Sequence, residues 1–150
     1  MNERTTWTTD DFDAMSWHDV NVHGFRLEAF SEEAGCADLV LDIDYLLEWI
    51  STDGGFEFKV APAELRFHEV FGLRFELDYS TGSAGMCPFS IDGIVREAVT
   101  FPTGHASFRW TMPVNWPSGS LRFEAPRFTM SLTGPLRVQN GQAILAGRGH

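Results

Sequence analysis

The sequence predicts a mainly β fold, an antiparallel two-sheet sandwich or flattened barrel, with one short N-terminal helical turn. Three observations predict it. Apolar and polar residues alternate with a period of two along most of the chain, the pattern of a strand with one face in a core and the other in water. No helical segment of about 10–15 residues separates these runs, as a parallel α/β sheet would need. Thirteen Phe and five Trp, within a 43% apolar share, supply the material of a core.

The elements follow in order. Thr9-Asp10-Asp11-Phe12-Asp13-Ala14-Met15 reads as one helical turn, with Thr9 as N-cap and acids suited to the positive end of the helix dipole. A strand over Asp19–Phe30 changes phase at His23-Gly24, which predicts a β-bulge there, with glycine supplying the backbone freedom. Ser31–Gly35 reads as a turn. Leu39–Leu47 is a strand with Leu39, Leu41, Ile43, Tyr45 and Leu47 on one face and Asp42, Asp44 and Glu48 on the other. Ser51–Gly55 is a loop, and Phe56–Val60 a short strand. Glu64–Val70 and Leu73–Tyr79 read as a hairpin turning at Gly72. Ser80–Gly85 is a polar connection, and Phe89–Val99 is ambiguous. Alternation returns at Ala106–Met112, Leu121–Glu124, Arg127–Leu132 and Leu136–Val138.

The 150 residues contain no repeat, low-complexity tract or linker, so a single domain over 1–150 is expected. A chain of this length buries roughly two-thirds of its unfolded surface. It has no long apolar run for a membrane span and no basic-then-apolar leader, so the expected location is the cytoplasm. Cys36 and Cys87 are far apart and outside any C-x-x-C pattern, so both are expected as free thiols.

The formal net charge is −10. That balance argues against nucleic acid and anionic membrane as partners, since phosphate backbones are held by basic surfaces. The charge is uneven. Residues 1–100 hold twenty of the twenty-one acids against six bases, whereas residues 101–150 hold five arginines and only Glu124. Such halves can pair with each other within one fold.

Several groups of residues are candidates for function. Trp17-His18-Asp19 places an imidazole beside a carboxylate, a pairing that binds metals or tunes a base. Neighbours on a strand point to opposite faces, however, so a structural cap at the strand start is favoured. Asp42 and Asp44 share a face and could hold a divalent cation. Two carboxylates supply too few oxygens alone, and a solvated face or pairing with Arg across the sheet is favoured. His68-Glu69 is not followed by H-E-x-x-H, because position 72 is Gly. Arg109, Arg122, Arg127 and Arg137 have outward parity and could form an anion-binding face, since guanidinium forks suit carboxylate and phosphate, but solvation and ion pairing with the acidic first half are favoured. Cys87-Pro88 has no local histidine partner. No G-x-S-x-G, G-x-G-x-x-G or phosphate-loop motif occurs. Neither a metal nor a cofactor is expected.

The order Trp17-His18-Asp19, then Leu39 to Tyr45 (LVLDIDY), then Leu65 to Asp78 (LRFHEVFGLRFELD) resembles small β-rich bacterial proteins of unknown function, some of them similar to immunity proteins of polymorphic toxin systems. The resemblance covers about the first half of the chain. It implies a protein-binding domain with no catalytic residues to carry over. The expectation is therefore a non-enzymatic, acidic β domain with a protein partner. The alternative is an enzyme or small-molecule binder with a pocket between the sheets, using His18, Asp19 and His68.

Overall fold

A computed structural model describes residues 4–80 and 85–139. Among the described residues there are ten antiparallel strands and one short 3-10 helix: β1 Thr6–Thr8, the helix Thr9–Ala14, β2 Val20–Ser31, β3 Cys36–Thr52, β4 Gly55–Asp78, β5 Phe89–Ile91, β6 Val95–Thr100, β7 Ala106–Trp116, β8 Ser118–Ala125, β9 Arg127–Leu132 and β10 Arg137–Gln139. The expected mainly β class and N-terminal helical turn are both present. The cap is one residue earlier than expected: the Asp11 carboxylate accepts the Thr8 N–H at 2.8 Å.

Pairing runs β4–β3–β2–β5–β7–β8 and returns to β4, so the sheet closes into a ring. It is not a regular barrel. β5 contributes only three residues, and β1, β6, β9 and β10 lie off the ring.

The closure depends on β4. The sequence suggests a hairpin turning at Gly72, but Gly55–Asp78 is one strand of 24 residues. One edge of its first part pairs with β3. Its other edge pairs in turn with β10, β9 and β8. Gly72, at φ +65°, lies in the register shift between Phe71 and Arg74. The strand turns a corner there without reversing, and so passes from the β3 layer to the β8 layer. Phe89–Val99, ambiguous in sequence, divides into β5 and β6. Residues 81–84 of the expected polar connection lie outside the described residues.

Inward residues alternate as predicted. Leu39, Leu41, Ile43, Leu65, Phe67, Trp110, Met112, Leu121, Phe128 and Met130 are fully buried. Burial of each large side chain contributes about 1.5–3 kcal/mol. Phe67 is the centre of the aromatic core, with Trp110, Phe123 and Phe128 around it at 4.7–5.8 Å between centroids. The Trp110 indole N–H donates to the Ala125 carbonyl at 2.9 Å, so this buried ring has its polar atom satisfied.

Candidate functional sites

His18 and Asp19 converge, contrary to the strand-based expectation. They lie in the turn that precedes β2, with Asp19 at φ +60°, so the alternation of a strand does not apply. His18 Nε2 is 3.2 Å from Asp19 Oδ2, and its Nδ1 is 3.2 Å from the Asp92 carbonyl. Asn115 donates to Asp19 Oδ1 at 2.7 Å. The aspartate thus accepts a side-chain amide rather than capping backbone N–H groups. The pair ties the start of β2 to β7 and to the segment after β5. Trp17 is a core residue, packed against Tyr45 and Phe128.

His68 belongs to a different cluster, on the outer face of β2, β3 and β4. Its Nε2 is 3.0 Å from Thr129 Oγ1, and its Nδ1 is 3.6 Å from Asp38. Burial pushes the imidazole below its usual range, helped by Arg127 and Arg66 and opposed by Asp38. Arg66 is at the centre of the cluster, bonded to Asp38 at 2.8 Å and to Glu28. Those hydrogen bonds hold its guanidinium firmly charged. His18 and His68, grouped with Asp19 in the alternative reading of the sequence, share no partner among the described residues.

Asp42 and Asp44 do share the outer face, but Asp44 is not solvated. Its side chain has no exposed surface, and Oδ2 is 2.6 Å from His23 Nε2. The reason is the bulge. β2 and β3 pair through Asn21↔Asp44 and Val22↔Ile43, then resume at Gly24↔Asp42. His23 is the extra residue, unopposed in the ladder, and its ring is placed against Asp44. His23 also borders a cavity of about 310 Å³ with Phe25, Leu77, Tyr79, Cys87 and Phe89. The Tyr79 hydroxyl donates to the Cys87 carbonyl at 2.9 Å. Cys36 and Cys87 are both free thiols, as expected, and Cys87 is exposed. The sequence marked the bulge but not its consequence, because the partner of His23 depends on register.

The candidate arginine face divides. Arg109 pairs with Glu124 at 3.0 Å, and Arg127 with Glu69 at 3.4 Å. Arg137 lies on β10, opposite Val60. Arg109 and Arg122 border one open cavity of about 320 Å³ together with Arg74, which sequence reasoning did not single out. Its place opposite Arg122 follows from the corner in β4, which the sequence pattern resembles a hairpin too closely to reveal.

The hairpin of β3 and β4 ends in an aromatic group. Trp49 lies opposite Phe58 and diagonal to Phe56, with ring centroids 5.0 and 5.9 Å away. Trp49 is 52% exposed and Phe56 58%. Glu57 faces Ile50 and Glu48 faces Lys59, so by strand alternation these charges occupy the other face of the hairpin, and Asp53 lies in its turn. None of these aromatics belongs to the core cluster.

Among the described residues no group of three or more His, Cys, Asp or Glu side chains is placed to hold a metal. Nor, among those residues, is any helix long and apolar enough to cross a membrane. No protein-family model, curated protein or solved structure matches the chain.

Proposed function

We propose that this domain works by binding a basic protein partner through the tip of the β3–β4 hairpin, in an immunity-like role. The observation that carries the reading is the exposed Trp49–Phe56 pair, packed beside the half-buried Phe58, at the tip of a hairpin that also carries Glu48, Asp53 and Glu57. Large aromatics left in water on one projecting element are costly unless a partner covers them. Trp and other aromatics concentrate binding energy at protein interfaces, while rim charges select the partner and speed its approach. Glu48, Asp53 and Glu57 make the hairpin end net acidic against Lys59 and so favour a basic partner, and the net charge of −10 acts in the same direction.

The test compares the wild type with a Trp49→Ala/Phe56→Ser variant as bait, followed by binding measurements with each purified candidate. The reading requires a basic protein that the wild type holds in a salt-sensitive complex and the variant does not. Equal retention by both baits would reject the tip as the interface.

A second reading is favoured by one observation, the buried Asp44 carboxylate behind His23 at a cavity that also contains Cys87 and Tyr79. A carboxylate that orients an imidazole beside an accessible thiol suits a small-molecule site. A metabolite carried through purification and released on denaturation, detected by native mass spectrometry, favours this reading over the first.

A further inference from the structure

We propose that Arg74 and Arg122 form a binding site for a phosphate dianion, either free or as the end group of a small phosphorylated metabolite. The site is on the outer face of β4 and β8, away from the aromatic hairpin tip, and does not depend on the partner-binding reading.

The argument begins with register. Arg74 is directly opposite Arg122, and Arg122 is directly opposite Thr111 on β7. Facing residues of an antiparallel pair have Cα atoms about 4.5–5.5 Å apart, so two guanidinium stems leave the sheet side by side. Like charges placed this way are unfavourable. The neighbouring row avoids the problem: Glu124 faces Arg109, which faces Glu97, and Arg109 is bonded to both acids at 3.0 and 3.8 Å. The arginine row contains no acid. Among the described residues, neither Arg74 nor Arg122 makes an ion pair. Glu76 and Glu124 flank the row, and Glu124 is engaged by Arg109.

In a chain with ten excess negative charges, uncompensated arginines are a local exception. The cavity between Gly72, Arg74, Arg109, Arg122 and Glu124 measures about 320 Å³, enough for a phosphate and a few attached atoms. Two guanidinium forks present paired N–H donors in the geometry a phosphate accepts. A phosphate monoester carries about −1.5 to −2 charges at pH 7, close to the two positive charges it would meet. The Thr111 hydroxyl, next in the row, is an additional donor. A monocarboxylate would neutralise only one of the two.

Calorimetric titration at constant ionic strength tests this with inorganic phosphate, glycerol 3-phosphate, and glycerol as the uncharged control. The wild type should bind at least one of the two anions saturably and not bind glycerol. An Arg74→Gln/Arg122→Gln variant should bind at least tenfold more weakly, and Arg127→Gln should bind as the wild type does. Tighter binding of the ester identifies a phosphorylated metabolite, and equal or tighter binding of inorganic phosphate identifies the free ion. Thermal melts give a second readout. In phosphate-free buffer Arg122→Gln should melt no lower than the wild type, since it relieves repulsion, and it should lose the rise that phosphate produces. The proposal fails if neither anion binds the wild type saturably, or if the double variant binds as tightly. It also fails if Arg122→Gln melts well below the wild type, which would make the arginine a structural residue.

Discussion

His23 Nε2 stands 2.6 Å from Asp44 Oδ2, and the Asp44 side chain is closed off from solvent. Two residues with the same strand parity, Asp42 and Asp44, therefore have different environments, because a single extra residue in β2 sets an imidazole against one of them. A buried carboxylate is costly unless it is paired and hydrogen-bonded. His23 meets that need at one of the two carboxylate oxygens, Oδ2.

The consequence for stability is asymmetric. Replacing Asp44 by Ala removes the acceptor of a buried polar pair and should cost about 1–3 kcal/mol. Since 1 kcal/mol shifts the midpoint by about 2–4 °C in a chain of this size, melting should fall by several degrees. Asp42→Asn should cost less than about 1 kcal/mol, as for partly exposed charges. Equal losses in the two variants, measured by thermal denaturation, would show that the His23 contact is not what separates them.

Much of the fold was legible in the sequence because a half-buried strand writes its burial as alternation. Leu39, Leu41 and Ile43 have inward parity and are buried, and the phase change at His23-Gly24 coincides with the bulge. What alternation does not encode is which strand lies beside which. Leu73–Tyr79 alternates equally well as the return of a hairpin or as the continuation of a strand round a corner, and Gly72 suits both. The Asp44–His23 and Arg74–Arg122 neighbours depend on that missing register. The convergence of His18 with Asp19 depends on a left-handed backbone at Asp19, which a residue type not confined to that region does not announce.

Two glycines should differ sharply in their response to alanine. Gly119, at φ +150°, lies where an added Cβ would sit 2.0 Å from the Glu76 carbonyl oxygen. Gly119→Ala must displace β8 from the second part of β4, and we expect a loss of at least about 3 kcal/mol. Gly24 was expected to be needed for the bulge, but it does not occupy the positive-φ region and an added Cβ meets nothing within 4 Å. Gly24→Ala should change stability by less than about 1 kcal/mol, because the bulge is formed by the unopposed His23 and not by glycine geometry. Chemical denaturation of both variants measures the contrast, and a large loss in Gly24→Ala would contradict it.

The two thiols should differ in reactivity in the folded protein. Cys87 is exposed and Cys36 is partly covered. Brief iodoacetamide treatment without reductant should label Cys87 first, followed by Cys36, with both labelled once the chain is unfolded. Peptide mass spectrometry reads the order, and faster labelling of Cys36 would contradict the placement of the two residues.

The cluster around Arg66 makes stability depend on pH in two separate windows. Burial lowers the His68 pKa in the folded protein, whereas in the unfolded chain it is about 6.5. Between the lowered folded value and about 6.5 the unfolded state binds the extra proton, so acidification favours unfolding. The neutral His68 is therefore fully compatible with the fold at pH 7, and this part of the stability is lost as pH falls below about 6.5 and through the folded value. Asp38 acts at lower pH. Burial alone would raise its pKa, but the Glu69 amide at 3.0 Å and Arg66 at 2.8 Å outweigh burial and hold the carboxyl below its usual range. Its contribution is present above the unfolded value of about 3.9 and is lost as pH falls through the lower folded value. His68→Gln removes the titrating ring and keeps a polar group near Thr129, so it should reduce the slope of melting temperature against pH between about pH 7 and pH 5 and leave the loss below about pH 4 in place. Melting curves of both proteins across that range provide the check. An unchanged slope in the variant would assign the first window to another histidine, and loss of the second window as well would mean that Asp38 depends on His68 more than on Arg66 and the Glu69 amide.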